Sequence, residues 1–197
     1  NIQRGLLWSQ TNVITEGVQL NFAEDVFSAS LAWNNGAYSD VYNWLGASLG
    51  LKTGSNSNAV LSWTGSMSGN AQNTTATPLL QNNSQIANVI FQYQTDRWSV
   101  MPYMQYTYVP MNTAIGINGQ SQSLGFAVLS TYHVTPLQNG VPPKFHISIP
   151  TRFEYQSTYG NNNVSSVPGG LMYGAGSAAW YGTLTPTVQW GKLFARG

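Results

Sequence analysis

Residues 145–156, FHISIPTRFEYQ, separate by parity into two chemically different rows. Phe145, Ile147, Ile149, Thr151, Phe153 and Tyr155 form one row, and His146, Ser148, Pro150, Arg152, Glu154 and Gln156 form the other. A period of two places successive side chains on opposite faces of an extended strand, so this segment reads as a strand with one greasy face and one wet face.

The same period runs along nearly the whole chain. In 98–110 the apolar row is Trp98, Val100, Pro102, Met104, Tyr106 and Tyr108. Between 179 and 190, Trp180, Leu184, Pro186, Val188 and Trp190 oppose Tyr181, Thr183, Thr185, Thr187 and Gln189. Leu45, Ala47, Leu49 and Leu51 oppose Gly46, Ser48, Gly50 and Lys52 in the same manner. The pattern predicts strands at 17–24, 26–34, 44–53, 58–67, 87–95, 98–109, 122–134, 144–157 and 179–190. A tenth starts at Leu193, and residues 2–9 offer another. No segment sustains a helical period with caps, so the fold class is all-β.

Composition decides what the wet face meets. Only 7% of the 197 residues are charged, against roughly a quarter in ordinary soluble domains, while 42% are hydrophobic and 13% aromatic. A net charge of +1 without a Lys/Arg cluster supplies no electrostatic footing for DNA or RNA, so no nucleic-acid partner is expected. The absence of cysteine rules out disulfides, a thiol nucleophile and thiolate zinc sites. No run of 18 apolar residues is present, which excludes a transmembrane helix but leaves membrane crossing by strands open.

Connection lengths alternate. Short turns fall at 24–25, 54–57, 96–97, 135–143 and 191–192, and between them lie long stretches at 35–43, 68–86, 110–121 and 158–178, rich in Asn, Gln, Ser, Gly and Thr. Strict alternation puts every second connection at the same end of an up-and-down sheet. Transmembrane β-barrels have this asymmetry, with strands of roughly ten residues that alternate apolar-out and polar-in. A secreted or surface β-sandwich binding glycans or cells through its Asn- and Tyr-rich loops is the alternative. A sandwich would turn a charged face to water, whereas here the wet rows carry Ser, Thr, Gln and Asn. Trp33, Trp44, Trp98, Tyr108, Tyr155, Trp180 and Trp190 fall near strand ends, as aromatic girdles at the two membrane interfaces require. The reading is therefore an up-and-down antiparallel transmembrane β-barrel, one domain over 1–197.

Several stretches support a family resemblance. WSVMPYMQYTYV (98–109), LGFAVLSTYHV (124–134), FHISIPTRFEYQS (145–157) and above all LMYGAGSAAWYGTLTPTVQWGKLFARG (171–197) resemble the OmpL-like β-barrel porins of bacterial outer membranes. IQRGLLWSQTNVITEGVQLNF (2–22) and NNGAYSDVYNWLGASLGL (34–51) fit the earlier strands of that family. The resemblance implies a water-filled pore for small solutes in the bacterial outer membrane, with outer-membrane lipid and small polar solutes as partners. It allows a homo-oligomer and implies no cofactor. Because single-chain bacterial barrels close with an even strand number, the ten or eleven strands suggest part of a barrel of 12 or more, lacking its first and last strands.

With the apolar rows toward lipid, parity sends Lys52, His133, His146, Arg152, Glu154 and Arg196 to the lumen. Arg152 and Glu154, two residues apart on one face, suit either a constriction of opposed charges or a wall-stiffening pair. So few charges predict weak ion selectivity, slightly toward anions, and passage of uncharged polar solutes such as sugars. Tyr103 and Tyr181 join this face, as space-fillers or as a short stacking track.

Catalytic motifs fail on context. GASLG (46–50) matches the nucleophile pattern in letters, but Ser48 lies inside an alternating strand rather than on a strand-to-helix elbow. Two histidines on different strands and six scattered carboxylates give no metal-ligand spacing. The sequons at Asn73, Asn82 and Asn163 mark polar, exposed loops.

Overall fold

The structure is a computed structural model that describes residues 16–36, 42–67, 84–113, 118–160 and 176–197. The candidate strand at 2–9 and the sequons at Asn73, Asn82 and Asn163 lie outside the described residues.

Eleven strands form one antiparallel sheet: β1 (Gly17–Ala23), β2 (Phe27–Asn34), β3 (Trp44–Gly54), β4 (Ser57–Ser66), β5 (Gln85–Gln94), β6 (Trp98–Val109), β7 (Ser121–His133), β8 (Phe145–Gly160), β9 (Ala178–Leu184), β10 (Thr187–Trp190) and β11 (Leu193–Arg196). Sequential neighbours pair from β1 to β8, and both β9 and β10 pair with β8. Thr151 faces Leu184 and Ser148 faces Thr187, so β9 and β10 keep one register and make a single pass along β8. Pro186, which has no N–H to offer the ladder, interrupts that pass beside Pro150, and Thr185 N–H still bonds the Pro150 carbonyl at 2.9 Å. The eleven strands therefore make ten up-and-down passes, at nearly the bounds that alternation predicted. A sandwich would need two packed sheets, and the described strands belong to one.

Side-chain alternation gives the sheet two unlike faces. The outer face carries Val18, Leu20, Phe22, Leu31, Leu49, Leu61, Phe91, Phe126, Phe153 and Trp180, all exposed. The inner face holds nearly every buried strand residue, among them Gln105, Thr107, Ser121, Ser123, Ser148, Gln156 and Thr158. A water-soluble sheet would bury the first row and expose the second.

Outer polar groups satisfy one another. The Ser130 and Thr151 hydroxyls, directly opposed on β7 and β8, share a hydrogen bond, and Tyr106 O–H donates to Gln122 Oε1 at 2.8 Å. Such pairing is what a medium without water demands of any polar side chain that enters it.

The aromatic residues expected at strand ends lie as follows. Trp98 opens β6 and packs on Tyr132 with ring centroids 4.8 Å apart, and Trp190 closes β10, both at the short-turn end. Trp33 and Tyr108 stand next to the long-connection ends of β2 and β6, and Tyr155 packs on Trp180 at 4.2 Å. Trp44 departs from expectation. It is 1% exposed, because its parity matches Gly46 and Ser48 and turns the indole to the inner face.

Adjacent substitutions on β4 separate the two faces experimentally. Leu61→Arg, on the outer face near mid-strand, should cost about 2–4 kcal/mol if that face meets lipid. Ser62→Arg, its inward neighbour, should be tolerated, and denaturant unfolding in phospholipid vesicles measures the difference. Equal effects would contradict the assignment of faces.

Candidate pore lining

All four charged side chains of the described strands, Lys52, Arg152, Glu154 and Arg196, project from the inner face. Parity explains this: each sits one residue out of phase with a lipid-type side chain. Glu16, Glu24, Asp25, Asp96, Arg97, Lys144 and Lys192 lie in connections or flanks. The sheet thus confines its charge to one face and its ends.

The structure brings some of the expected lining residues together. Arg152 Nε lies 3.7 Å from Glu154 Oε1, with the carboxylate side chain 2% exposed. Lying on the same side of β8, the two extend across small neighbours, since Glu154 opposes Ala127 and the next pair along that row is Ala127 with Tyr103. Tyr181 faces Glu154 from β9. Tyr103, Ala127, Glu154 and Tyr181 therefore form one row across four strands. A second row runs Gln105, Gly125, Gln156, and here a residue with no side chain separates two amides. Gln105 Nε2 and both amide atoms of Gln156 have no protein partner, although the residues are 2% and 1% exposed. Buried amides without protein partners are ordinarily met by ordered water.

The second row continues toward β1 as Asn88, Ser62, Ser48 and Ser30. Ser30 and Ser48 share a hydrogen bond of 2.8 Å, and Asn88 Nδ2 donates to Ser62 Oγ at 3.3 Å. The belt is uncharged throughout. It also settles the local meaning of GASLG, because Ser48 sits mid-strand with its hydroxyl on Ser30.

His133 and His146 also meet. His133 Nδ1 and His146 Nε2 are 3.1 Å apart, and Ser99 Oγ is 3.1 Å from His133 Nε2. Lys52 and Arg196 stand apart from these clusters. Lys52 is exposed near the short-turn end of β3, and Arg196 lies 5.0 Å over the Phe194 ring on the β11 edge. Among the described residues no group of three or more His, Cys, Asp or Glu could hold a metal ion.

A cavity of about 870 Å³ opens at the short-turn end of the inner face. The turns β1–β2 and β3–β4, the end of β5, and Lys52 and Asn58 line it, and Asn139 and Gly140 from the β7–β8 connection close one side. The sequence predicts only a turn over 135–143, the longest of the short set, and the structure folds it back on itself at Gln138 and Val141. The Asn-Gly pair inside it was the available signal of a second, smaller hairpin.

One amphipathic up-and-down sheet with lipid-type residues outward and its charges inward is the arrangement of a membrane β-barrel wall, and among the described strands β1 and β11 remain unpaired edges, so the sheet is not closed. The chain belongs to the family described as "Putative beta-barrel porin-2, OmpL-like", whose pattern matches residues 1–197, the whole chain. No curated protein and no solved structure matches it.

Removing one charge from this lining has a directional consequence. Glu154→Gln leaves the Arg152 cation without its carboxylate, so the lumen becomes more positive. The reversal potential in a salt gradient should shift toward anion preference, and a shift toward cations would contradict the placement of Glu154 at the conduction path.

Proposed function

We propose that this protein is an outer-membrane porin whose water-filled lumen lets small, uncharged polar solutes such as sugars cross by passive diffusion. The observation that supports this most strongly is the inversion of the sheet. Exposed Leu, Phe, Val and Trp cover the outer face, while most hydroxyls and amides and every charge of the described strands occupy the inner one. Lipid stabilises the first arrangement and water the second.

Selectivity follows from the lining. A belt of Ser, Asn and Gln can exchange hydrogen bonds with a hydrated solute without the large penalty of stripping an ion. Arg152 and Glu154 largely neutralise each other, leaving Lys52 and Arg196 to give a slight anion preference. Lys52, His133, His146, Arg152, Glu154 and Arg196 are the lining residues of this reading, and no side chain is asked to act catalytically. The partners are outer-membrane lipid and the diffusing solute, and the porin class is compatible with a homo-oligomer.

Insertion of the detergent-refolded protein into planar bilayers should give stable, stepwise openings with little ion preference. Ser62→Trp, which sets an indole into the uncharged belt between Ser48 and Asn88, should lower the single-channel conductance severalfold. Strong cation selectivity, or insertion without any conductance, would overturn the diffusion-pore reading.

A further inference from the structure

The β7–β8 connection, 134–144, is unlike the two- and three-residue turns at the same end of the sheet. It doubles back on itself. Gln138 and Val141 exchange backbone hydrogen bonds of 2.9 and 3.0 Å around Asn139 and Gly140, whose φ values of 52° and 77° are those of a two-residue type I′ turn. Leu137 is 5% exposed, and its N–H bonds the Asp96 carbonyl of the β5–β6 turn at 2.8 Å. The tip residues Asn139 and Gly140 line the same cavity as Glu24 and Asn56, which belong to turns several strands away. The connection is therefore a small tongue laid against the short-turn mouth of the lumen.

Its two roots are His133, the last residue of β7, and His146, the second of β8. The ring centroids lie 5.2 Å apart at a 38° tilt and share the 3.1 Å contact between Nδ1 and Nε2, with His133 8% and His146 4% exposed. We propose that the His133–His146 hydrogen bond is a proton-sensitive clasp that holds the 134–144 tongue across the mouth and releases it when both rings are protonated. This rests on the pore reading for its consequence, though the clasp itself does not.

The sign follows from hydrogen-bond inventory. The shared bond needs one nitrogen as donor and the other as acceptor, so the clasp survives with both rings neutral or with one protonated. A second proton removes the acceptor and sets two like charges side by side in a buried place. Among the described residues no carboxylate bonds either ring. β6 presents Ser99 to the pair, with Arg97 and Asp96 preceding it in the turn. On the other side β10 presents Gln189 in register with His146, followed by Lys192 in the next turn. β8 contributes Ser148, with Lys144 before it, β11 contributes Phe194 beside Gln189, and the tongue itself contains no acid. Among these, Asp96 touches the tongue through its carbonyl rather than its carboxylate, and neither Asp96 nor any of the cations bonds either ring. The clasp is thus intact while at least one ring is neutral and lost when both are protonated.

Hydrogen–deuterium exchange of the detergent-folded chain tests the clasp without requiring conductance. After correction for intrinsic rates, the Leu137 and Val141 amides should exchange about tenfold faster near pH 5 than near pH 7.5. Carboxylates remain largely ionised over that interval, so the change reports the histidines. His133→Gln/His146→Gln, or His146→Gln alone should the pair fail to fold, should remove the pH dependence. An unchanged exchange ratio in the parent, or a pH response kept by the glutamine variants, would overturn the proposal. Bilayer recordings at the same two pH values add the consequence, with larger conductance expected in acid. A pH-dependent tongue in a protein that never conducts would refute the pore reading and leave the clasp standing.

Discussion

A backbone that crosses hydrocarbon finds no water for its N–H and C=O groups, and the rest of this structure follows from that demand. Long antiparallel strands answer it, since each central strand hands both rows of polar groups to its neighbours. The ladder then enforces a period of two on the side chains. Apolar side chains take one parity and polar ones the other, which leaves the few charges of the described strands a single face. Even small exceptions obey the demand: Ser130 and Thr151 stand on the lipid side, and each hydroxyl takes the other as partner.

Strand placement was legible from sequence because the alternation depends on local order alone. The run from Phe145 to Gln156 carries its own register, and β9 and β10 read correctly as one pass since Pro186 stops a hydrogen bond without changing parity. Trp44 shows where a coarser rule misleads. Its nearness to a strand end suggested an interface residue, but parity places it beside Gly46, on the side that buries it. Position along a strand sets depth, whereas parity sets face, and the second decides what a side chain touches.

The site was less legible, for a physical reason. Which residues meet across strands depends on register, and register is fixed by turn geometry and by pairing of whole strands rather than by any local motif. Parity could put Gln105, Gly125 and Gln156 on the lumen side, yet their alignment in one row depends on two pairings, β6 with β7 and β7 with β8. The histidines make the same point. Read along the chain they are separated residues with no ligand spacing, and only the reversal through 134–144 sets their rings together.

The two ends of the sheet therefore carry different work. Long connections are tolerated at one end because loop closure costs little for each added residue, while at the other end most turns are as short as a hairpin allows. A connection of intermediate length at the short end has no topological need, since two residues would join β7 to β8. The surplus chain instead buries Leu137, closes one side of the mouth cavity and returns through the histidine pair. Residues that a strand meander does not require are held by specific hydrogen bonds to Asp96 and Ile147 backbone carbonyls, through Leu137 N–H and Thr135 N–H. Ordering such a segment costs conformational entropy, and burying one leucine with a few hydrogen bonds offsets only part of it. The His133 to His146 contact adds one further hydrogen bond at the roots of the same segment.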